Sequence, residues 1–132
     1  MTVSRALIID DEPDIRELLT ITLQGLGLSV SQASNTREAL DLIRHGRFDF
    51  CLTDMRLPDG DGFEILDAIQ ATQAQMPVAV ITAHGNTELA VEALKKGAFD
   101  FVSKPVELKR LRNMVETALA LRHKVHSPQA PT

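Results

Sequence analysis

Three aspartates follow short apolar runs in this sequence, at positions where they could share one cation. Asp10 and Asp11 come directly after residues 6–9, and Asp54 ends the run 48–54. Carboxylates crowded into one crevice repel each other, and burying them uncompensated costs on the order of several kcal/mol. Oxygen donors with few fixed protein ligands suit Mg²⁺, which keeps several waters and binds beside a phosphate. No His or Cys is spaced for zinc, so the aspartates predict a Mg²⁺ site.

Two further polar residues follow later apolar runs. Thr82 comes after residues 78–81, and Lys104 stands shortly after residues 99–102. A carboxylate nucleophile, a bound cation, a hydroxyl and an ammonium are what in-line transfer of a phosphoryl group to Asp54 requires. The aspartyl phosphate would add negative charge and acceptor oxygens, which Thr82 and Lys104 could bind as two loops move inward. These residue types therefore predict a phosphorylation switch.

Each of these residues also has a purely structural explanation. An acid at a strand tip commonly stabilises a turn, and Asp11 would favour the positive end of a following helix. Thr82 could bond to local backbone, and Lys104 could be a solvated loop charge. The functional interpretation depends on neighbouring strands delivering all of them to one place.

The elements that must position these residues alternate between strands and helices. Apolar runs bounded by turn residues predict five strands, and apolar residues at helical spacing predict five helices. The strands are residues 6–9, 28–32, 48–54, 78–81 and 99–102, and the helices begin at Pro13, at Asn35 or Thr36, after the turn 58–62, at Asn86 or Thr87, and at about Glu107. This alternation predicts an α/β fold with a five-stranded parallel, doubly wound sheet.

Two strand orders fit such a sheet, the Rossmann order and the flavodoxin-like order 2-1-3-4-5. The second strand alternates apolar and polar residues as an edge strand does, whereas strands one and three are apolar throughout. We therefore expect the flavodoxin-like order, with strands one and three adjacent. Asp10, Asp11 and Asp54 then face one crevice at the switch point of the sheet, where ligands bind in this class of fold.

Composition limits the remaining possibilities. The chain has 132 residues, 44% hydrophobic and 24% charged, which suits one domain. A net charge of −4 leaves no basic stripe, so we expect no direct binding of nucleic acid or anionic lipid. The single Cys51 lies within the third predicted strand as apolar core, which indicates a reducing compartment. Neither a signal peptide nor an apolar run of about 18 residues occurs, so we expect a cytoplasmic protein without a membrane span.

Four motifs occur in order along the chain: Leu7-Ile8-Ile9-Asp10-Asp11-Glu12, Leu52-Thr53-Asp54-Met55-Arg56-Leu57-Pro58-Asp59-Gly60-Asp61-Gly62, Ile81-Thr82-Ala83 and Lys104-Pro105. With them the sequence resembles the receiver domains of two-component response regulators over nearly its whole length. The resemblance implies that Asp54 is the phosphoacceptor for a sensor histidine kinase. It implies that Asp10 and Asp11 hold Mg²⁺ together with Asp54 and the backbone carbonyl of Arg56. It further implies that Lys104 pairs with the phosphoryl group, that Thr82 is the switch hydroxyl, and that the bond preceding Pro105 is cis.

The same resemblance suggests roles for three other residues. Phe101 stands where the family places an aromatic or hydroxyl residue that swings inward on activation, although it could also be core filler. Arg56 and His84, each two residues after Asp54 or Thr82, match positions that flank the route of the hydrolytic water. We hypothesise that two bulky side chains there lengthen the lifetime of the phosphate, while His84 has the alternative of being an ordinary loop residue.

Residues 97–101 and 55–58 are most similar to the NtrC class of σ54-dependent activators, and within it to regulators of type IV pilus genes. That class implies ATPase and DNA-binding domains, and the sequence lacks the Gly-rich loop with Lys-Ser or Lys-Thr that an NTPase needs. We divide the chain into a receiver domain, residues 1–122, and a tail or start of a linker, residues 123–132. The surface of helix four, strand five and helix five would serve homodimerisation or output.

The expected function is a switch that catalyses its own phosphorylation and dephosphorylation and is not a turnover enzyme. The alternative is a pseudo-receiver, an adaptor that binds a partner through helix four, strand five and helix five regardless of phosphate. The acids together with Thr82 and Lys104 argue against that alternative. A phosphatase of the haloacid dehalogenase type would need a second acid two residues after its nucleophile, where Arg56 stands.

Overall fold

The computed structural model describes residues 3–83 and 85–125. Five strands, labelled β1 to β5, form the main sheet: Arg5–Ile9, Ser29–Ala33, Phe50–Asp54, Val78–Thr82 and Asp100–Ser103. The helices in this part of the chain, α1 to α5, are Pro13–Gly25, Thr36–His45, Gly62–Thr72, Thr87–Lys95 and Leu108–Val125. None of these helices has both the length and the apolar character needed to cross a membrane. The predicted alternation of strands and helices is confirmed.

The sheet is parallel throughout and has the strand order β2-β1-β3-β4-β5. The predicted flavodoxin-like order is therefore confirmed. β1 lies between β2 and β3, with Ile8 opposite Gln32 on one side and Leu52 on the other. β2 is partly exposed, as its alternating sequence predicts for an edge strand, whereas every residue of β3 is buried.

The core consists of two layers because successive side chains of a strand point to opposite faces of the sheet. Leu7 and Ile9 contribute to the layer beneath α2, α3 and α4, whereas Ala6 and Ile8 contribute to the layer beneath α1 and α5. Cys51 is fully buried in the first of these layers, as predicted. Coverage on both faces explains why the central strands read as continuous apolar runs.

Some strand boundaries differ from the predicted ones. β3 begins at Phe50 and not at Phe48, and β5 begins and ends one residue later than predicted. An unpredicted antiparallel hairpin pairs Arg56–Leu57 with Gly60–Asp61 directly after β3. Its two-residue strands are too short to carry an alternating pattern, so the sequence displays only the turn between them.

Side chains cap two of the helices whose starts were predicted from turn residues. Asn35 Oδ1 accepts a hydrogen bond from the Glu38 N–H (2.8 Å) at α2, and Asp61 Oδ1 accepts one from the Glu64 N–H (3.1 Å) at α3. Such bonds satisfy N–H groups that have no partner within the helix. α4 starts after Asn86, whose side chain makes no capping bond.

Candidate functional site

Four of the predicted site residues lie at the carboxyl edge of the sheet. Asp10 follows β1, Asp54 ends β3, Thr82 ends β4 and Lys104 follows β5. The Lys104 N–H donates to the Thr82 carbonyl (2.9 Å), which extends the pairing of β4 and β5. Because the strands are parallel, their ends deliver these residues to the edge where open α/β sheets bind ligands.

Asp10, Asp11, Glu12 and Asp54 form a carboxylate cluster at this edge. One oxygen of each residue lies within 4.8 Å of the others. Asp10 and Asp54 are buried, whereas Asp11 and Glu12 are exposed. Among the described residues, Asp10 Oδ2 has no hydrogen-bond partner although it is buried. A hard divalent cation fits this cluster, because every donor is an oxygen and one buried oxygen has no hydrogen bond.

Burial makes Asp10 costly to ionise. Desolvation, assisted by the negative charge of Asp54, raises the pKa of Asp10 from 3.8 to about 6. The Glu12 N–H, which donates to Asp10 Oδ1 (2.9 Å), and the charge of Lys104 oppose this rise. At neutral pH the carboxyl is therefore a buried negative charge that attracts a cation.

Lys104 joins members of the carboxylate cluster. Its Nζ donates to Glu12 Oε1 (2.6 Å) and to Asp54 Oδ2 (2.9 Å) and lies 3.8 Å from Asp10 Oδ2. Burial disfavours the ammonium, but the hydrogen bonds to Glu12 and Asp54 outweigh it and raise the pKa of Lys104. The peptide bond between Lys104 and Pro105 is cis, the geometry that the resemblance implies. A positive charge thus stays beside Asp54.

Asp54 lines a cleft of about 200 Å³. Its Oδ1 accepts a hydrogen bond from the Arg56 N–H (3.2 Å), and 6% of the residue is exposed. The following loop folds back so closely that a Cβ at position 62 would lie 2.9 Å from the Asp54 carbonyl oxygen. Gly62 therefore permits the loop geometry that leaves the carboxylate accessible from the cleft.

Thr82 and Phe101 share one face of the sheet behind the cluster. Thr82 is buried, and Phe101 is half-buried on β5 opposite Val80, which precedes Thr82 by two residues. Residues two apart in a strand point to the same face, here the face covered by α2, α3 and α4. Arg56 is exposed and lines the cleft, whereas His84 lies outside the described residues.

Two acidic residues make contacts at the site that the sequence analysis did not assign. Glu12 forms the shortest ion pair of Lys104, and its place next to Asp10 and Asp11 was the available signal.

Asp59 accepts hydrogen bonds from the N–H groups of Thr36 (2.7 Å) and Arg37 (3.0 Å) at the start of α2. These bonds lower the pKa of Asp59 and fasten the loop after Asp54 to α2. The sequence around Asp59 predicts only a turn, because the residues that Asp59 contacts belong to another element and leave no local pattern.

Known proteins are similar in sequence to this chain over most of its length. The family described as "Response regulator receiver domain" matches residues 6–116. The response regulator protein PilR of Pseudomonas aeruginosa is 55% identical over 123 residues, which cover 93% of this chain and 28% of PilR. The chain therefore spans little more than a quarter of the length of that relative.

Solved receiver domains share the fold as well. The receiver domain of NtrX from Brucella abortus is 36% identical with a TM-score of 0.83, covering 87% of this chain and 98% of that chain. The beryllofluoride-activated NtrC4 receiver domain, solved in solution as a dimer, is 35% identical with a TM-score of 0.84, covering 89% and 98%. Given the family match, the relatives and the carboxylate cluster at the sheet edge, the chain belongs to the response regulator receiver domains, and to their NtrC type.

Proposed function

We propose that this chain is a phosphorylation-dependent switch in which Asp54 accepts a phosphoryl group from a sensor histidine kinase or a small phosphodonor. Receiver domains of response regulators take phosphate from sensor kinases, and this chain belongs to that family. One observation carries the assignment: the buried Asp54 carboxylate lies 2.9 Å from the Lys104 ammonium and within the cluster that contains Asp10 and Asp11. A nucleophile is thereby placed among charges that can compensate an incoming phosphoryl group.

The proposed transfer forms a bond between a carboxylate oxygen of Asp54 and phosphorus and breaks the bond from phosphorus to the donor. For the kinase, the leaving atom is a histidine nitrogen. We propose that Asp10, Asp11, Asp54 and the backbone carbonyl of Arg56 hold Mg²⁺, which supplies charge neutralisation when bound. Lys104, already within hydrogen-bond distance of Asp54, can contact the transferred phosphoryl oxygens without a large movement. Later hydrolysis at Asp54 resets the switch, so the chain is not proposed to be a turnover enzyme.

The phosphoryl group would act on the rest of the domain through Thr82 and Phe101. The Thr82 hydroxyl would bind a phosphoryl oxygen, and Phe101 would move inward on the same face of the sheet. This rearrangement would alter the surface formed by α4, β5 and α5, which we propose as the homodimer interface. The dimeric state of the activated NtrC4 receiver domain supports homodimerisation on activation.

We propose that the output of the switch lies in ATPase and DNA-binding domains that follow the receiver in a longer protein. The length of PilR, of which this chain covers 28%, supports that arrangement. Residues 1–122 would be the receiver and residues 123–132 the tail or start of a linker. The whole protein would act in the cytoplasm on σ54-dependent transcription, of type IV pilus genes in particular, with no nucleic acid or membrane bound directly by the receiver.

Amide NMR spectra with Mg²⁺, recorded before and after addition of beryllofluoride, test the switch. Beryllofluoride mimics a phosphoryl group on a carboxylate, and Asp54→Asn removes that carboxylate. We expect shifts that spread from Asp54 to Thr82, Phe101 and α5 in the wild type only, with earlier elution in a parallel sizing run. Unchanged spectra in the wild type would favour the alternative, a phosphate-independent adaptor that binds its partner through α4, β5 and α5.

A further inference from the structure

Glu12 is the acidic residue of the cluster that has no part in the proposed transfer, yet it makes the shortest contact to Lys104. Glu12 Oε1 lies 2.6 Å from Lys104 Nζ, compared with 2.9 Å for Asp54 Oδ2 and 3.8 Å for Asp10 Oδ2. We propose that Glu12 is a positioning residue that strengthens cation binding at this site and weakens phosphoryl binding. This inference rests on the proposed function of Asp54.

Local structure leaves the Glu12 side chain free for this contact. Glu12 precedes α1 at the N-cap position, but its carboxylate makes no capping bond to that helix. Pro13 begins the helix and has no N–H group of its own. The Glu12 N–H donates instead to Asp10 Oδ1 (2.9 Å), which anchors the backbone while the side chain extends to Lys104.

Lys104 has three donor hydrogens, and Glu12 and Asp54 accept two of them. A phosphoryl group on Asp54 would need the same ammonium as its counter-ion. Because Glu12 already neutralises part of the charge of Lys104, the ammonium would attract the phosphoryl group less strongly, and the negative charges of the phosphoryl group and of Glu12 would repel each other. Both effects make Glu12 unfavourable to the phosphorylated state.

The same charge has the opposite effect on a cation. An oxygen of Glu12 lies within 4.8 Å of oxygens of Asp10, Asp11 and Asp54. A divalent ion bound by those aspartates is attracted by the nearby carboxylate, whether directly or through a bound water. Glu12→Gln should therefore move the two affinities in opposite directions, which loss of a purely structural contact would not do.

The test compares the wild type, Glu12→Gln and Glu17→Gln. Glu17 is an exposed acid on α1, and its replacement removes the same formal charge outside the cluster. Isothermal titration measures Mg²⁺ affinity, and amide NMR measures beryllofluoride affinity at saturating Mg²⁺. For Glu12→Gln we expect about two- to fivefold weaker Mg²⁺ binding and about two- to fivefold tighter beryllofluoride binding, the range for a partly exposed ion pair. Glu17→Gln should match the wild type in both titrations.

Three other results would overturn the inference. If Glu12→Gln weakens the binding of both Mg²⁺ and beryllofluoride, or changes neither affinity, Glu12 does not act on the two in opposite directions. The assignment of Asp54 as phosphoacceptor would stand in either case. An equal effect from Glu17→Gln would indicate that net charge alone is responsible. A wild type that binds Mg²⁺ but not beryllofluoride would overturn the proposed function and this inference with it.

Discussion

The chemistry of Asp10 follows from its surroundings more than from its residue type. Its neighbour Asp11 has the same carboxyl group but is exposed, whereas Asp10 is completely buried and has one oxygen without a hydrogen-bond partner among the described residues. Desolvation then raises the pKa of Asp10 to about 6. The two adjacent acids are therefore unequal, and Asp10 is the one whose ionised form would gain more from a bound cation.

The raised pKa of Asp10 predicts a link between pH and the effect of Mg²⁺ on stability. The pKa of Asp10 is about 6 in the folded chain and ordinarily 3.8, so the protonated carboxyl stabilises the folded state. This stabilisation is fully present below about pH 4 and is lost as the pH rises through about 6. Bound Mg²⁺ compensates the ionised carboxylate. Mg²⁺ should therefore raise the melting temperature more at about pH 7.5 than at about pH 5.

The variant Asp10→Asn gives the matched control, followed by thermal unfolding with circular dichroism. Without Mg²⁺ at about pH 7.5, it should be more stable than the wild type by about 1 to 3 kcal/mol, and Mg²⁺ should raise its melting temperature less than that of the wild type. An equal Mg²⁺ effect on the wild type at both pH values would contradict this account of Asp10.

Arg56 and His84 are proposed to tune the lifetime of the aspartyl phosphate. The Arg56 side chain is exposed and lines the cleft beside Asp54, where bulk can hinder an attacking water. Arg56→Asn and His84→Ala should each lose the phosphoryl group about two- to tenfold faster than the wild type. Decay of the radiolabelled phosphoprotein measures this, with Arg44→Asn, an exposed change on α2, as control. Rates no faster than that of the wild type would count against the hypothesis.

At the scale of elements, Asp59 connects two parts of the fold that lie far apart in the chain. Its two carboxylate oxygens accept the first N–H groups of α2, from Thr36 and Arg37, while Asn35 caps the same helix from within its own segment. The loop that follows the phosphoacceptor strand is thus held against α2. A negative charge at a helix N-terminus is also favourable to the helix dipole.

Asp59→Ala should lower the melting temperature by a few degrees, because it removes both bonds to α2. Asp59→Asn should have a smaller effect, since its single amide oxygen can still accept one of them.

The lowered pKa of Asp59 means that its contribution is present at neutral pH and is lost as the pH falls through that pKa. The difference in melting temperature should therefore shrink in acid. Asp67→Ala, an exposed change on α3, controls for loss of charge, and an equal effect from it would remove the role assigned to Asp59.

At the scale of the whole molecule, α5 completes the core layer that it shares with α1. Among the α5 side chains that the structure describes, which end at Leu121, the buried ones are Leu111, Met114, Val115 and Ala118. These residues all precede residue 122, the proposed end of the receiver domain, although the helix itself continues to Val125. These buried residues support the proposed boundary, because all of them precede it.

A chain that ends at Arg122 should consequently fold as the full chain does. We expect its melting temperature to agree with that of the full chain within about 2 °C, as measured by circular dichroism. A chain that ends at Asn113 loses Met114, Val115 and Ala118 from the core and should fail to unfold cooperatively. A large loss of stability in the chain that ends at Arg122 would mean that the domain boundary lies closer to the C-terminus.

The order of the elements, the order of the strands and the acids at the strand ends can all be predicted from the sequence. These features depend on local signals: apolar runs, turn residues, and the contrast between an alternating β2 and an apolar β1 and β3. Asp10, Asp54, Thr82 and Lys104 each stand at or shortly after the end of an apolar run, which predicts that they lie at the same edge. Local pattern suffices here because parallel strands necessarily end on one side of their sheet.

The contacts between side chains across that edge are visible only in the folded chain. Glu12 and Lys104 are 92 residues apart in sequence, and Asp59 is 23 residues from Thr36. No periodicity in the chain encodes these contacts, because they depend on how loops from separate strands pack and on which groups lose water when they do. The raised pKa of Asp10 has the same origin, since desolvation is a property of the folded environment and not of the carboxyl group.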